Sequence, residues 1–164
     1  MFYLAYFFGM EIVLLSVNKV KNQNLKSLID EYDKRIRHYI KFSHINISNI
    51  KNSKKSPLDQ SNSEAILIKK EIKKGDLCIL LDEKGDLLDS KKFSEFLNKT
   101  YNTNYKRIVF IIGGSYGFSE SIYLLNFKKI SLSKMTFTHQ MIKLFFCEQL
   151  YRAHTILKNE KYHH

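Results

Sequence analysis

Short apolar runs alternate with amphipathic segments along almost the whole of this 164-residue chain, and no other feature constrains its fold as strongly. The apolar runs predict five strands, at residues 11–17, 42–50, 77–81, 108–112 and 129–132. The segments between and after them predict helices at residues 25–40, 61 to about 75, 90–97, 119–125 and 138–158. Such alternation is typical of an α/β protein with a mainly parallel sheet. No internal repeat or linker marks a second domain, so a single domain is expected.

Local signals refine this prediction. Residues 51–62 are rich in Lys, Asn and Ser, hold the only proline of the chain and are typical of a surface loop. Ser61 and Glu64 have the spacing of a capping box and predict the start of the second helix. Residues 82–86 predict a polar turn after the third strand, and Ser90 is expected to cap the third helix.

The charge of the chain is far from balanced, with a formal net charge of +11 at pH 7 and a pI near 9.5. A surface of this kind attracts polyanions, of which nucleic acid is the one we expect. Codon usage that favours Lys and Asn is the alternative explanation. The predicted first helix carries part of the charge on its outer face, at Lys26, Lys34, Arg35 and Arg37.

Cysteine usage and the N-terminal segment bear on the compartment. Cys78 and Cys147 each lie inside an apolar run, which predicts buried free thiols and a reducing, cytoplasmic location. No His-x-x-x-His or Cys-x-x-Cys spacing occurs, so no metal site is expected. Residues 1–9 are apolar but too short to span a bilayer, and we expect no membrane association. Met10 is the expected start of the domain, which makes residues 1–9 an upstream extension.

Two loops near the C-terminus hold the residue types that build small-molecule pockets at the ends of parallel strands. A Gly-Gly-Ser-Tyr-Gly run at residues 113–117 follows the fourth strand. It has neither the dinucleotide-binding nor the P-loop spacing, and a tight turn is the alternative interpretation. Ser131, Ser133, Thr136 and Thr138 follow the fifth strand. Their hydroxyls are candidates to bind an amino acid or sugar moiety, or, for the two threonines, to cap the last helix.

The predicted last helix places Glu148 and Arg152 at i,i+4 spacing, which usually indicates a surface ion pair. Because apolar and aromatic residues flank this pair in the sequence, we expect it to be partly buried. A charge that is partly buried affects the free energy of folding more than an exposed one. His139 and His154 are candidate general bases, although a single histidine is more often structural.

Taken in order along the chain, five motifs resemble those of one family. They are Leu-Asp-Glu-Lys-Gly at 81–85 with Ser90 and Phe93 after it, Phe-Ile-Ile-Gly-Gly-Ser-Tyr-Gly at 110–117, Ile-Ser-Leu-Ser-Lys-Met-Thr-Phe-Thr-His at 130–139, Glu-Gln-Leu-Tyr-Arg-Ala at 148–153, and the terminal Tyr162-His163. Their order and spacing resemble the RlmH family of ribosomal RNA large-subunit methyltransferases, which belongs to the SPOUT class. The resemblance runs from Met10 to His164. It implies a single α/β SPOUT domain whose C-terminal part is threaded into a trefoil knot.

The resemblance also implies an activity and its partners. It implies a homodimer that binds S-adenosylmethionine as methyl donor and methylates N3 of a pseudouridine in 23S rRNA of the assembled 70S ribosome. The cofactor pocket is carried over to Leu81, Gly113, Gly114, Leu132, Ser133, Lys134, Met135, Thr136 and Phe137. The acceptor side is carried over to Glu148, Arg152, Tyr162 and His163, with the tail reaching the pocket of the partner subunit.

Our hypothesis for the mechanism is a direct in-line methyl transfer without a covalent enzyme intermediate, in which the protein orients the reactants and removes the N3 proton. His163 is the candidate to act as the base or to order the target base, while Glu148 and Arg152 hold the geometry. The alternative is that these residues only bind RNA or stabilise the dimer. Two other functions stay open: a non-catalytic RNA-binding ribosome-assembly factor on the same scaffold, and a SPOUT methyltransferase that acts on tRNA.

Overall fold

The computed structural model describes residues 9–48 and 56–162, and in this part of the chain five strands alternate strictly with five helices. The strands are β1 (Glu11–Val17), β2 (Lys41–Ile47), β3 (Leu77–Leu87), β4 (Arg107–Ile112) and β5 (Lys128–Ser131). The helices are α1 (Gln23–Ile36), α2 (Pro57–Glu71), α3 (Ser90–Tyr101), α4 (Glu120–Tyr123) and α5 (His139–Leu157). The predicted α/β class is confirmed.

The five strands form one parallel sheet in the order β2-β1-β4-β3-β5. β3 lies between β4 and β5, with Leu81 in register with Ile112 on one side and with Ile130 on the other. The carboxyl ends of these three strands therefore meet at one edge of the sheet. In open α/β sheets this edge is where ligands bind.

Helices cover both faces of the sheet. Ile12 and Leu14 of β1 point into a core shared with α1, α3 and α5, whereas Val13 and Leu15 point into a second core shared with α2 and α4. All four side chains are almost completely buried, and burial of each contributes roughly 1.5–3 kcal/mol. A strand that is buried on both faces has a continuous apolar sequence, which is why these strands were recognisable from sequence alone.

The start of α2 differs from the prediction. The helix begins at Pro57, after Ser56, whose Oγ accepts a hydrogen bond of 3.1 Å from the Asp59 N–H. Proline suits the first helical position because its φ is already helical and its missing N–H would have no partner there. Ser61 and Glu64 lie inside the helix, both buried, so the capping-box prediction is wrong.

β3 continues where a polar turn was predicted, and that prediction is wrong as well. The strand pairs with β5 at Leu81 and again at Asp86, across a register shift that leaves residues 82–85 as a bulge. Gly85 approaches β5 so closely that a Cβ atom there would lie 2.6 Å from the Ile130 backbone nitrogen. Only glycine permits this contact between two backbones.

Other element ends shift by a few residues. Asp89 caps α3 through a 2.7 Å hydrogen bond from the Lys92 N–H to Oδ1, so Ser90 is the first helical residue rather than the cap. α2 ends at Glu71 rather than near residue 75.

The predictions for residues 1–8 and 49–55 lie outside the described residues. Within the described ranges, no helix has the length and apolar character needed to cross a membrane.

Candidate active site

The candidate site is built by the three loops that leave the carboxyl edge of the sheet. Leu81 is buried on β3, and Gly113 is buried directly after β4, whose last residue pairs with Leu81. The third loop starts after Ser131, at the end of β5. The structure thus brings together the starting points of all three segments from which the cofactor pocket was predicted.

The glycine loop after β4 is a tight turn. The Gly117 N–H donates a 3.1 Å hydrogen bond to the Gly114 carbonyl, and Gly117 has a φ of 73°, a conformation that favours glycine. A Cβ atom on Gly113 would lie 3.3 Å from the Gly117 carbonyl group. The tight-turn alternative is therefore correct as a description of the loop, and the turn presents bare backbone at the end of the central strands.

The hydroxyl-rich segment after β5 is held in shape by its own side chains. The buried Ser131 donates to the Ser133 carbonyl at 2.8 Å, and the Ser133 Oγ accepts a 2.9 Å hydrogen bond from the Met135 N–H. Thr138 caps α5, because its Oγ1 accepts from the Met141 N–H at 3.3 Å. These contacts shape the loop, and they confirm the capping interpretation for Thr138.

The remaining predicted residues of this segment lie further out. Met135 and Phe137 are exposed, to 74% and 37%, and Lys134 and Thr136 are exposed as well. The Phe137 ring packs against Phe145 of α5 with 4.8 Å between ring centroids. In the single chain, Met135 and Phe137 of this segment therefore expose apolar surface to solvent.

A cavity of about 260 Å³ lies between the segment that follows β3, the start of α3, the segment after β5 and α5. Six residues line it: Leu88, Asp89, Ser90, Phe93, Leu132 and Gln149. Of the predicted cofactor residues, Leu132 is the one that lines this cavity. The motif at the start of α3 was recognised in the sequence, but its residues were not assigned to the pocket.

The predicted acceptor residues of α5 form a compact cluster. Arg152 donates to Glu148 Oε1 through Nε at 2.9 Å and through Nη2 at 2.6 Å. Tyr162 donates to the same oxygen at 3.4 Å, and the Arg152 guanidinium lies 4.7 Å from the centre of the Tyr162 ring. Tyr32 of α1 reaches the Tyr162 hydroxyl at 3.3 Å. His163 lies outside the described residues.

Electrostatics agree with this geometry. The hydrogen bonds from Arg152 to the Glu148 carboxylate raise the pKa of the guanidinium further, so Arg152 stays charged. Burial and the hydrogen bond with Tyr32 raise the pKa of Tyr162, which keeps its hydroxyl protonated at neutral pH. Side-chain exposures of 25% for Arg152 and 19% for Glu148 show a partly buried ion pair rather than the usual surface one.

Gln149 joins the cavity to this cluster and was not assigned a role from the sequence. Its Oε1 accepts a 2.7 Å hydrogen bond from the Ser90 hydroxyl in the cavity wall. Its Nε2 donates to Glu148 Oε2 at 2.6 Å. Its position next to Glu148, within the largely apolar stretch from Leu144 to Tyr151, was the available signal.

His154 has a structural role rather than that of a base. It is buried, and its Nδ1 lies 2.7 Å from the Leu150 carbonyl, which can only accept a hydrogen bond. Nε2 is therefore the unprotonated nitrogen and accepts from the Tyr101 hydroxyl at 3.0 Å. Burial lowers the pKa of His154 to about 4, so the ring is neutral at pH 7. His139 is the first residue of α5.

A second polar cluster lies under α5, away from the cavity. Asp33, His44 and Cys147 bring their side-chain ligand atoms within 4.8 Å of one another. His44 Nε2 lies 2.8 Å from an Asp33 carboxylate oxygen, and the Cys147 thiol donates to Asp33 at 3.8 Å. These contacts give each of the three side chains a polar partner within the protein. The absence of a metal site stays a prediction. Cys78 and Cys147 are free and buried, as predicted.

Comparison with known proteins places this architecture in a family. Residues 10–163 match the family model described as predicted SPOUT methyltransferase. The chain belongs to the SPOUT methyltransferase family and is a methyltransferase. The family resemblance inferred from the five motifs is thereby confirmed.

Individual relatives show which members of this family the chain is similar to. The chain is 52% identical to the ribosomal RNA large subunit methyltransferase H of Flavobacterium psychrophilum and 49% identical to that of Christiangramia forsetii. Both alignments cover 94% of this chain and 99% of the relative. Among solved structures, the methyltransferase Lpg2936 of Legionella pneumophila, in complex with bound SAM, has a TM-score of 0.51 and 12% identity, over 88% of this chain and 67% of that one. The last likeness supports the fold alone.

Proposed function

We propose that the chain is an S-adenosylmethionine-dependent methyltransferase that methylates N3 of a pseudouridine in 23S rRNA of the assembled 70S ribosome. The observation that carries the proposal is the hydrogen-bonded path from the cavity through Ser90 and Gln149 to the Glu148–Arg152 pair. This path joins a cleft of about 260 Å³ to a set of charged groups. The shared name of relatives that are about half identical over nearly their whole length supports the rRNA substrate.

The residues at the strand ends fit the cofactor. Leu88, Phe93 and Leu132 give the cavity apolar walls, while Ser90 and Gln149 supply polar groups, as an adenosine moiety with a polar edge requires. We place the remaining contacts on Leu81, Gly113, Gly114, Ser133, Lys134, Met135, Thr136 and Phe137. When bound, the cofactor supplies a methyl group on a sulfonium, which is electrophilic without further activation.

The polar cluster of α5 orients the acceptor base. Arg152 holds the Glu148 carboxylate in place through two hydrogen bonds to Oε1. The protonated Tyr162 hydroxyl provides a further donor at the same oxygen. His163, the next residue along the chain, takes up the N3 proton or holds the base in place.

Partners and topology complete the proposal. Lys26, Lys34 and Arg37 on the exposed face of α1 contact phosphates without reading sequence. The exposed apolar side chains of Met135 and Phe137 support a homodimer in which a second subunit covers this surface. We also propose the trefoil knot for the C-terminal part and a cytoplasmic location for the protein.

Methyl transfer from labelled S-adenosylmethionine tests the function. The substrates are whole ribosomes, isolated large subunits and bulk tRNA from a strain that lacks the gene. We expect label on whole ribosomes only, and its loss in the Gly113→Val and His163→Ala variants. Label on tRNA would instead support a tRNA methyltransferase of the same class.

The alternative hypothesis, a non-catalytic RNA-binding assembly factor, predicts a different result. It would show no label on any substrate and no S-adenosylmethionine binding by calorimetry, while still binding ribosomal RNA. The protein's membership of a methyltransferase family disfavours this alternative.

A further inference from the structure

Glu64 is a buried carboxylate on the apolar face of α2. The residue is 3% exposed and shares the buried stripe of the helix with Ser61, Ala65 and Ile68. α2 lies on the face of the sheet opposite α1, α3 and α5, which form the other side of the fold. A carboxylate in this position is costly unless hydrogen bonds compensate for the lost water.

The contacts of Glu64 explain its position. Its carboxylate accepts a hydrogen bond from the backbone N–H of Gly114 and another, at 3.1 Å, from Gln60 Nε2. Burial raises the pKa of Glu64, and the two hydrogen bonds oppose this shift. The side chain therefore reaches from α2 under the sheet edge to the glycine loop that follows β4.

The loop is shaped around this carboxylate. A Cβ atom on Gly114 would lie 2.3 Å from Glu64 Oε2 and 2.6 Å from Oε1. Gly114 has no positive φ, so an added side chain would be opposed by the Glu64 carboxylate and not by the backbone conformation, and the carboxylate would have to move to accept it. Because Glu64 takes up the Gly114 N–H, it sets the orientation of the peptide that joins Gly114 to the buried Gly113.

We propose that Glu64 is a positioning residue for S-adenosylmethionine binding, which holds the Gly113–Gly114 peptide in the orientation that the cofactor requires. The proposal rests on the proposed function, because it takes the glycine loop as part of the cofactor pocket. A loop that is ordered before binding loses less conformational entropy when the ligand arrives. Glu64 acts through the loop and does not itself touch the reacting atoms.

The first test compares Glu64→Ala with Glu64→Gln. Loss of the carboxyl acceptor in Glu64→Ala is expected to raise the KM and the calorimetric Kd for S-adenosylmethionine about tenfold or more. The KM for ribosomes and the kcat at saturating cofactor should change less than about threefold, since the acceptor side is untouched. Glu64→Gln keeps a carbonyl oxygen for the Gly114 N–H and should restore most of the affinity.

Asp76→Ala is the matched control. The Asp76 side chain is 4% exposed, accepts a backbone hydrogen bond from Lys73 at 2.8 Å and pairs with Arg107 at the far end of β4. Its removal should lower Tm, as removal of Glu64 does, without weakening cofactor binding. Equal losses of affinity in Asp76→Ala and Glu64→Ala would overturn the proposal, since both would then act through general stability.

A double-mutant cycle with Gly114→Ala tests the contact itself. Gly114→Ala alone drives a methyl group into the Glu64 carboxylate and is expected to weaken cofactor binding. In the Glu64→Ala background the added methyl group meets no carboxylate, so Gly114→Ala should weaken cofactor binding much less. Additive effects of the two changes would contradict the proposal. If Glu64→Ala fails to fold, wild-type affinity in a folded Gly114→Ala variant would equally overturn it.

Gly113→Val separates this inference from the proposed function. Loss of cofactor binding in Gly113→Val together with unchanged binding in a folded Glu64→Ala protein would reject the role of Glu64 alone. Unchanged binding in Gly113→Val would show that the loop is not the cofactor site, and both proposals would fail.

Discussion

Ser90 donates a hydrogen bond of 2.7 Å to Gln149, and this contact ties the wall of the cavity to the polar face of α5. The Gln149 amide nitrogen donates in turn to Glu148 at 2.6 Å. An amide that accepts on one side and donates on the other fixes the Glu148 carboxylate without adding charge. The cofactor side and the acceptor side of the proposed site are thus joined by one side chain.

Replacement of Gln149 should therefore impair catalysis more than stability. We expect Gln149→Ala to lower kcat/KM about tenfold or more, because it removes two hydrogen bonds that position Glu148. Steady-state kinetics and a thermal melt check this. Gln140→Ala is the control, since Gln140 lies on the same helix and accepts a 2.8 Å hydrogen bond from the Lys21 N–H outside the cavity. Equal kinetic effects of the two changes would argue against the link.

Arg152→Lys should not behave as a conservative change. The Arg152 guanidinium donates to Glu148 Oε1 from two nitrogens at once, Nε and Nη2, and a lysine ammonium has only one nitrogen to offer that oxygen. We expect kcat to fall roughly a hundredfold, since a misplaced acceptor base is costly. The pair Glu31–Arg35 on α1 has the same i,i+4 spacing but is exposed, so Glu31→Gln should leave kcat within about twofold. Wild-type activity in Arg152→Lys would reject the geometric role.

Gly85→Ala should destabilise the protein through the β3–β5 pair. The added methyl group would meet the backbone of Lys129 and Ile130 at 2.6 Å, and neither strand has room to move. We expect a loss of about 1–3 kcal/mol or more in urea unfolding. Gly75→Ala serves as comparison, because Gly75 has a φ of 90° but nothing within 4 Å of an added Cβ. A smaller loss in Gly85→Ala than in Gly75→Ala would contradict the backbone-contact argument.

His154 should make stability depend on pH. The native state holds the ring neutral with a pKa of about 4, below the value of 6.5 that the unfolded chain has. The stabilisation that His154 provides is therefore complete above pH 6.5 and is lost as the pH falls through 4, at a total cost of roughly 3 kcal/mol. Around the ring lie Tyr101, which donates to it, Tyr39, which stacks on it at 5.3 Å, and the charge of Lys158.

The measurement is the free energy of unfolding between pH 7 and pH 4 in wild type and His154→Gln. The variant should lose less stability over this range, because glutamine does not titrate. His38→Gln, at an exposed position, should follow wild type. The same slope in His154→Gln and wild type would show that the buried histidine is not the cause.

Most of the fold could be predicted from the sequence because the central strands β1 and β4 are buried on both faces and the helices on one. The exceptions have local causes. The cap at Ser56 stood inside a Lys-, Asn- and Ser-rich stretch that is typical of a loop. The polar residues 82–86 form a bulge of β3 because β5 lies alongside, and no local pattern carries that information.

The site was predictable only in part. The glycine loop, the segment after β5 and the Glu148–Arg152 pair were found because their residue types are unusual in their elements. Glu64 gave a weaker signal, a charge on the apolar stripe of α2, which became visible only once the start of the helix was known. The role of Gln149 depends on Ser90, 59 positions away, and only the tertiary structure brings the two together.

The most direct test of the central claim is mass spectrometry of nucleosides from 23S rRNA of a strain that lacks the gene, before and after whole ribosomes are incubated with the purified protein and S-adenosylmethionine. The account predicts that N3-methylpseudouridine is absent at first and appears after incubation with the wild-type protein, and that it appears roughly a hundredfold more slowly with Arg152→Lys. If the purified protein binds S-adenosylmethionine but the ribosomes gain no methylated pseudouridine, the account is contradicted.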